Sequence, residues 1–262
     1  MKHYLWTESL TKQTSPAWPC PACASGTLAL VPNSLVEKET VKSKQLYEVL
    51  GEPESIKSTF SAWLECSYGN CGEDAVVVGV GKVIMSGTLN PIDEMDEGPP
   101  LPDYKKIYQP LFCWPMPDMF ELPEKCPDKV KSELRAGFRL FWSDQAASAG
   151  RRRVSLERLM DHLRIPKRLN LHRLNLDERI MKFFEKNPVA GKNLMALKWL
   201  GNTGSHQSNL SHDDLLDGFK ILKFLVAELF DKRAARVTKL VRKISRKHDP
   251  RQKKIHCNKT AR

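Results

Sequence analysis

The chain has 262 residues, 41% of them hydrophobic, with 42 Lys or Arg against 31 Asp or Glu for a formal charge of +11. That length holds one large domain or two small ones, and the apolar share suits a protein that forms a core. No run approaches about 18 apolar residues and residues 1–10 lack an apolar leader stretch, so neither a membrane span nor a secretory signal is expected.

The charge is unevenly placed. Residues 1–100 carry 7 basic and 13 acidic residues, a net of −6, and the remainder carries 35 and 18, a net of +17. Residues 232–262 alone hold 13 basic residues, with Asp249 the single acid. Such a tail is an electrostatic footprint for nucleic acid, with solubility or an acidic partner as the other readings. Seven cysteines is an odd number for an extracellular disulfide framework. Their spacing fits metal ligation in a reducing compartment, so a cytoplasmic location is expected.

In chain order, Cys20 and Cys23 form a C-x2-C knuckle, and Cys66 and Cys71 follow as a wider C-x4-C pair. Four thiolates make a closed tetrahedral zinc site with no open position for a substrate. Residues 75–84 are rich in branched side chains and read as a strand. Together these imply a zinc ribbon over residues 1–90, with zinc as a structural staple. The ribbon binding a protein or nucleic acid is the lesser reading, and its acidic balance argues against nucleic acid. Between the knuckles, Lys44 to Leu50 and Pro53 to Leu64 read as amphipathic helices, the second burying Ile56, Phe60, Trp63 and Leu64. Residues 91–127 contain nine prolines and read as a linker lying across a helical surface, since prolines at that density disfavour helix and central strand. Cys113, Cys126 and Cys257 have no knuckle partner and are left out of the metal site.

From Asp128 the pattern is helical. A helix to Ala147 presents Val130, Leu134, Phe138 and Phe141, and Arg151, Arg152 and Arg153 lead a second one with Leu156, Leu159, Met160 and Leu163. Asn175 with Glu178 caps a third, carrying Ile180, Phe183 and Phe184. A fourth starts near Ala190. A fifth opens at Ser211, with Asp214 completing the cap, and buries Leu215, Phe219, Leu222, Val226 and Leu229. A last one, Ala234 to Arg246, places Val237, Leu240, Val241 and Ile244 inward. Helices with short connections over 128–232 make a bundle, followed by a basic helix and tail over 233–262. Where the fourth helix meets the fifth, Lys198, Asn202 and His206 would stack on one face if helix continues through Gly201 and Gly204. That polar ladder is the best candidate for chemistry; the plainer reading is tight helix packing with structural hydrogen bonds.

The stretches Leu122 to Pro127, Phe138 to Asp144, Leu156 to Asp161 and, above all, Trp199-Leu200-Gly201-Asn202-Thr203-Gly204-Ser205-His206 with Ser211 to Asp217 resemble the bacterial family called domain of unknown function 4145. That family is similar to the HEPN superfamily (higher eukaryotes and prokaryotes nucleotide-binding) and often carries an N-terminal zinc ribbon. The resemblance implies a mainly α fold, a HEPN-like helical bundle with a small β zinc ribbon, working as a homodimer. Its members also occur fused to restriction and helicase subunits, which implies antiphage defence. HEPN nucleases pair an arginine with a polar residue and a histidine four positions on. Asn202 and His206 carry over, but Gly201 precedes Asn202 and the nearest upstream cation is Lys198.

Two functions follow. The first is an accessory module binding RNA, DNA or a defence-system partner protein, with Arg151, Arg152, Arg153, Arg242, Lys243, Arg246, Lys247, Lys253 and Lys254 meeting phosphates. The alternative is a metal-independent endoribonuclease, with His206 as general acid or base, Asn202 orienting it, and Lys198 or an arginine of 151–153 facing the charge on phosphorus.

Overall fold

The computed structural model describes residues 2–89, 102–206, 210–231 and 233–248. Helix takes up 47% of the chain and strand 23%, the strands forming a curled antiparallel half-barrel. The protein is therefore mixed α and β, and the mainly α fold expected from the sequence is overturned. Two misread stretches account for the difference.

The first is residues 53–64, expected as a helix. Only Pro53–Ser55 turns, as a short 3-10 helix, and Lys57–Cys66 is strand β3. Its burial alternates strictly, with Ser58, Phe60, Ala62, Leu64 and Cys66 inside and Trp63 outside. The apolar set at 56, 60, 63 and 64 also suits a helical stripe. Period two wins because Lys-Ser-Thr-Phe-Ser is poor helix material and the strand has partners on both sides.

The second is the proline-rich stretch, which holds strand β5, Pro102–Trp114. Its prolines occupy places a sheet allows: Pro102 opens the strand, and Pro110 sits beside a register shift on an edge strand. Opposite Pro110, Gly79 lets the strands approach so closely that a Cβ there would collide with the Gln109 carbonyl. Strand β4, Asp74–Leu89, lies between β3 and β5. The far edge of β3 is shared by β1, Leu28–Leu30, and β2, Val36–Glu39. Leu10 adds a backbone bridge to Tyr108 of β5.

The helices are α1 (Tyr4–Thr7), α2 (Val41–Leu50), α3 (Asp128–Leu140), α4 (Gln145–His162), α5 (Leu176–Lys186), α6 (Pro188–His206), α7 (His212–Asp231) and α8 (Arg233–His248). The single helix expected over 128–147 is broken at residues 141–144, where the Asp144 carboxylate accepts from the Ala147 amide and starts α4. Asn175 and Glu178 form the expected reciprocal cap on α5. Ser211 and Asp214 do the same for α7, each side chain accepting from the other's amide. Helix α6 runs unbroken through Gly201 and Gly204.

Sheet and helices share one core. Trp6, Trp18 and Trp142 pack with ring centroids 5.0–6.5 Å apart, and the Trp142 indole donates to the Trp6 carbonyl at 3.0 Å. Phe120 then meets Phe138, which meets Phe219 of α7. Continuous burial from Trp6 to Phe230 replaces the separate cores that a detached ribbon would have. Helix α8 departs in the other direction: Val237, Leu240, Val241 and Ile244, expected to face inward, are 55–60% exposed.

Candidate functional site

The sheet builds a four-cysteine cluster. Cys20 and Cys23 lie in the turn before β1, held by the Cys20 amide donating to the Gly26 carbonyl. Cys66 ends β3, and Cys71 lies in the turn leading to β4. The four sulfurs are all within 4.8 Å of one another, with Cys20–Cys71 and Cys23–Cys66 each 3.7 Å apart. A disulfide would need about 2.05 Å. A tetrahedron of about 2.3 Å metal–sulfur bonds has edges of about 3.8 Å, so the spacing fits one metal ion. Backbone amides of Ala22, Gly26 and Tyr68 donate to the sulfurs of Cys20, Cys23 and Cys66, each at 3.4 Å. The Gly26 amide draws the Cys23 thiol down to about 6 against its burial. At Cys66 the Tyr68 amide pulls the same way, but burial and the other three cysteines together push that thiol up to about 12. Crowded thiols resist ionising together unless a cation joins them, which is what a metal supplies. Gly26 is required here, since a Cβ would stand 2.5 Å from the Cys66 sulfur. Cys113 and Cys126 lie apart from the cluster, buried, their thiols pushed up by burial to about 12 and about 11.

The polar ladder is described only in part. Asn202 and His206 belong to the last turns of α6, but their side chains fall outside the described residues. Lys198 is ion-paired: its ammonium donates to the Asp177 carboxylate of α5 at 2.8 Å, and its side chain is 15% exposed. The three arginines of α4 have three different environments. Arg151 reaches Glu133 of α3 at 3.2 Å, and Arg153 is half-buried. Arg152 is fully buried with all three guanidinium nitrogens lacking a hydrogen-bond partner among the described residues. Burial draws its pKa down to about 10, partly countered by Asp214. Near the start of α7, His212 lies half-buried against the Phe141 ring, hydrogen-bonded to Gln145, and burial lowers its pKa.

Arg242, Lys243, Arg246 and Lys247 are exposed on α8, where they line a shallow basic depression with Lys239 and Leu240. Lys253, Lys254 and Cys257 lie outside the described residues.

Sequence reasoning missed two features. The burial of Arg152 depends on Gly218 of α7, a contact that no local pattern announces. The outward face of the sheet exposes Trp63 and Trp114, which had been assigned to a helix core and a linker. The signal for Trp63 was available in the alternation of β3.

No curated protein and no solved structure matches the chain. Two family models match parts of it. Residues 8–113, which contain the sheet and the cysteines, match one described as Domain of unknown function (DUF8608). Residues 135–254, the helical part, match one described as Domain of unknown function (DUF4145). The resemblance read from the sequence thus holds over residues 135–254, which leaves out its Leu122 to Pro127 stretch, whereas the cysteine-bearing sheet is similar to a separate family.

Proposed function

We propose that this protein is an accessory nucleic-acid-binding module of a bacterial antiphage defence system, with zinc stapling its sheet through Cys20, Cys23, Cys66 and Cys71. The observation that carries the binding reading is α8: seven basic residues and no acid over Arg233–His248, with Arg242, Lys243, Arg246 and Lys247 all exposed. A surface of this kind meets phosphates and releases counterions from them. Cleavage is less well supported, because its cations are engaged elsewhere. Lys198 holds Asp177, Arg151 holds Glu133, and Arg152 is enclosed in the core. The defence setting and a homodimeric state rest on the resemblance of the helical part.

Binding of fluorescent RNA and DNA oligonucleotides to the full chain, titrated with salt, tests the reading. Exchanging Arg242, Lys243, Arg246 and Lys247 together for Gln is expected to flatten the slope of log affinity against log salt by about 3, at roughly 0.7–0.9 per phosphate contact. An unchanged slope would remove α8 from the interface. Cyclic-phosphate ends formed from RNA in EDTA by the wild type, and lost in His206→Ala, would replace the module by a nuclease.

A further inference from the structure

We propose that the outward face of the sheet is a stacking platform for unpaired nucleic acid; this deepens the binding reading above and rests on it. The face is defined by register. Trp63 of β3 stands opposite Val76 of β4, which stands opposite Trp114 of β5; in the next row outward, Val78 stands opposite Phe112. All point away from the core, and Trp63, Phe112 and Trp114 are 53%, 43% and 56% exposed. With strands about 4.8 Å apart and about 3.4 Å per residue, the two indoles sit about 10 Å apart, and Phe112 about 7 Å along β5 from Trp114. One side of Trp114 carries the Arg139 guanidinium, 5.7 Å from the ring centroid. This leaves the other side for a base.

The occupant follows from charge. Residues 1–100 are net acidic, which argues against nucleic acid, but on the outward face of the sheet three lysines stand apart from the acids. Glu37 points inward, engaged by Lys106, Ser58 and Tyr108. The outward face carries Lys38, Lys57 and Lys82, which have no ion pair among the described residues. Of its acids, Glu65 and Asp74 face each other at the end beside the cysteines, and Asp103 lies towards the opposite end of the sheet, where its carboxylate accepts from Ser86 Oγ at 3.0 Å. An apolar partner would use the aromatic rows and leave three lysines uncompensated. A single strand uses both, stacking bases on Trp63, Phe112 and Trp114 and running its phosphates towards the lysines. Stacking tolerates any base, so sequence preference should be weak. Duplex bases are hidden from such a face, so a duplex should bind less well.

The test is anisotropy of labelled 12-nucleotide oligouridylate and oligothymidylate with the full chain, beside a duplex of the same length, the two single strands separating RNA from DNA as the natural ligand. Trp63→Leu and Trp114→Leu keep an apolar side chain but lose the stacking surface. Each is expected to weaken single-strand binding about tenfold, with Trp63→Phe and Trp114→Phe close to wild type, and single strands are expected to outbind the duplex at least tenfold. Light scattering and melts confirm that each variant is folded in its wild-type oligomeric state. Wild-type affinity in both Leu variants, with binding lost in the four-fold Gln variant of α8, would overturn the platform and leave the module standing. An altered oligomeric state with unchanged oligonucleotide binding would make the face a protein interface and overturn the platform too. No oligonucleotide binding by the wild type would overturn both.

Discussion

The Arg152 guanidinium lies against the backbone of Gly218, so close that any Cβ at position 218 would overlap its Nη1. The same guanidinium stands 6.0 Å over the Phe219 ring. One turn of α7 is thus shaped to admit a buried cation from α4. Replacing a mid-helix glycine by alanine ordinarily stabilises by about 0.5–1 kcal/mol. Here overpacking should win, at about 1–3 kcal/mol, because Arg152 is enclosed and cannot swing aside. Gly218→Ala is therefore expected to melt lower than wild type. Arg152→Met removes a buried charge that has no hydrogen-bond partner among the described residues, so it should raise the melting temperature. In the double variant the cost of Gly218→Ala should vanish, a coupling that thermal melts of the four proteins would measure. Additive effects would show that the contact is not what constrains position 218.

The cysteine cluster should hold one zinc ion per chain, measurable by elemental analysis of the purified protein. Its loss should be felt beyond the sheet, because Cys20 and Cys66 are buried beside the segments that carry Trp18, Leu28 and Leu64 into the shared core. Cys23→Ser, or chelation, is expected to lower a single cooperative transition rather than melt the sheet alone. Two separated transitions would restore the picture of independent cores.

Glu37 ties three strands together, accepting from Ser58 at 2.8 Å and from Tyr108 at 3.0 Å and pairing with Lys106 at 2.6 Å. Burial alone would raise its pKa, but the Lys106 ammonium and the two hydroxyls draw it below the usual carboxylate range. A carboxylate with a lowered folded pKa stabilises fully above its unfolded value, about 4.3, and loses that contribution as pH falls through the folded value. Glu37→Gln should cost about 1.5–3 kcal/mol at pH 7. The gap between its melts and those of the wild type should narrow below about pH 4. A gap independent of pH would mean the carboxylate charge contributes nothing.

What could be read from the sequence was local. The caps Asn175–Glu178 and Ser211–Asp214 depend on residues three apart, and both formed as expected. The cysteine knuckles are local too, each turn presenting two sulfurs. What was misread depends on a distant partner. Phe60 and Leu64 fit a helical stripe as well as a strand until β4 supplies hydrogen bonds on one side and β1 and β2 on the other. Pro110 excludes a regular central strand but not an edge strand with a register shift. Three consecutive arginines look like one basic patch, yet their fates are set by Glu133 for Arg151 and by Gly218 for Arg152. The side chains of Asn202 and His206, the centre of the nuclease reading, lie outside the described residues.

Helix α8 gives the sharpest contrast between pattern and structure. Its apolar residues at 237, 240, 241 and 244 recur at helical spacing, and a stripe of that kind usually faces a core. Buried there, each large aliphatic residue would be worth about 1.5–3 kcal/mol, and removing the helix would destabilise the protein severely. The stripe is instead exposed along its length, so its removal uncovers little. Cutting the chain after Asp231 should leave the melting temperature within a few degrees of the full chain, while weakening oligonucleotide binding at low salt through loss of the basic residues that follow. Leu240→Gln with Ile244→Gln in the full chain separates the two contributions, because it removes apolar surface and keeps every charge. It should change neither the melt nor the salt slope of binding. A large fall in melting temperature for the truncation or the double variant would show that the stripe is covered in solution and that α8 belongs to the core. Unchanged affinity in a folded truncation would move the nucleic-acid contacts off the tail and onto the sheet.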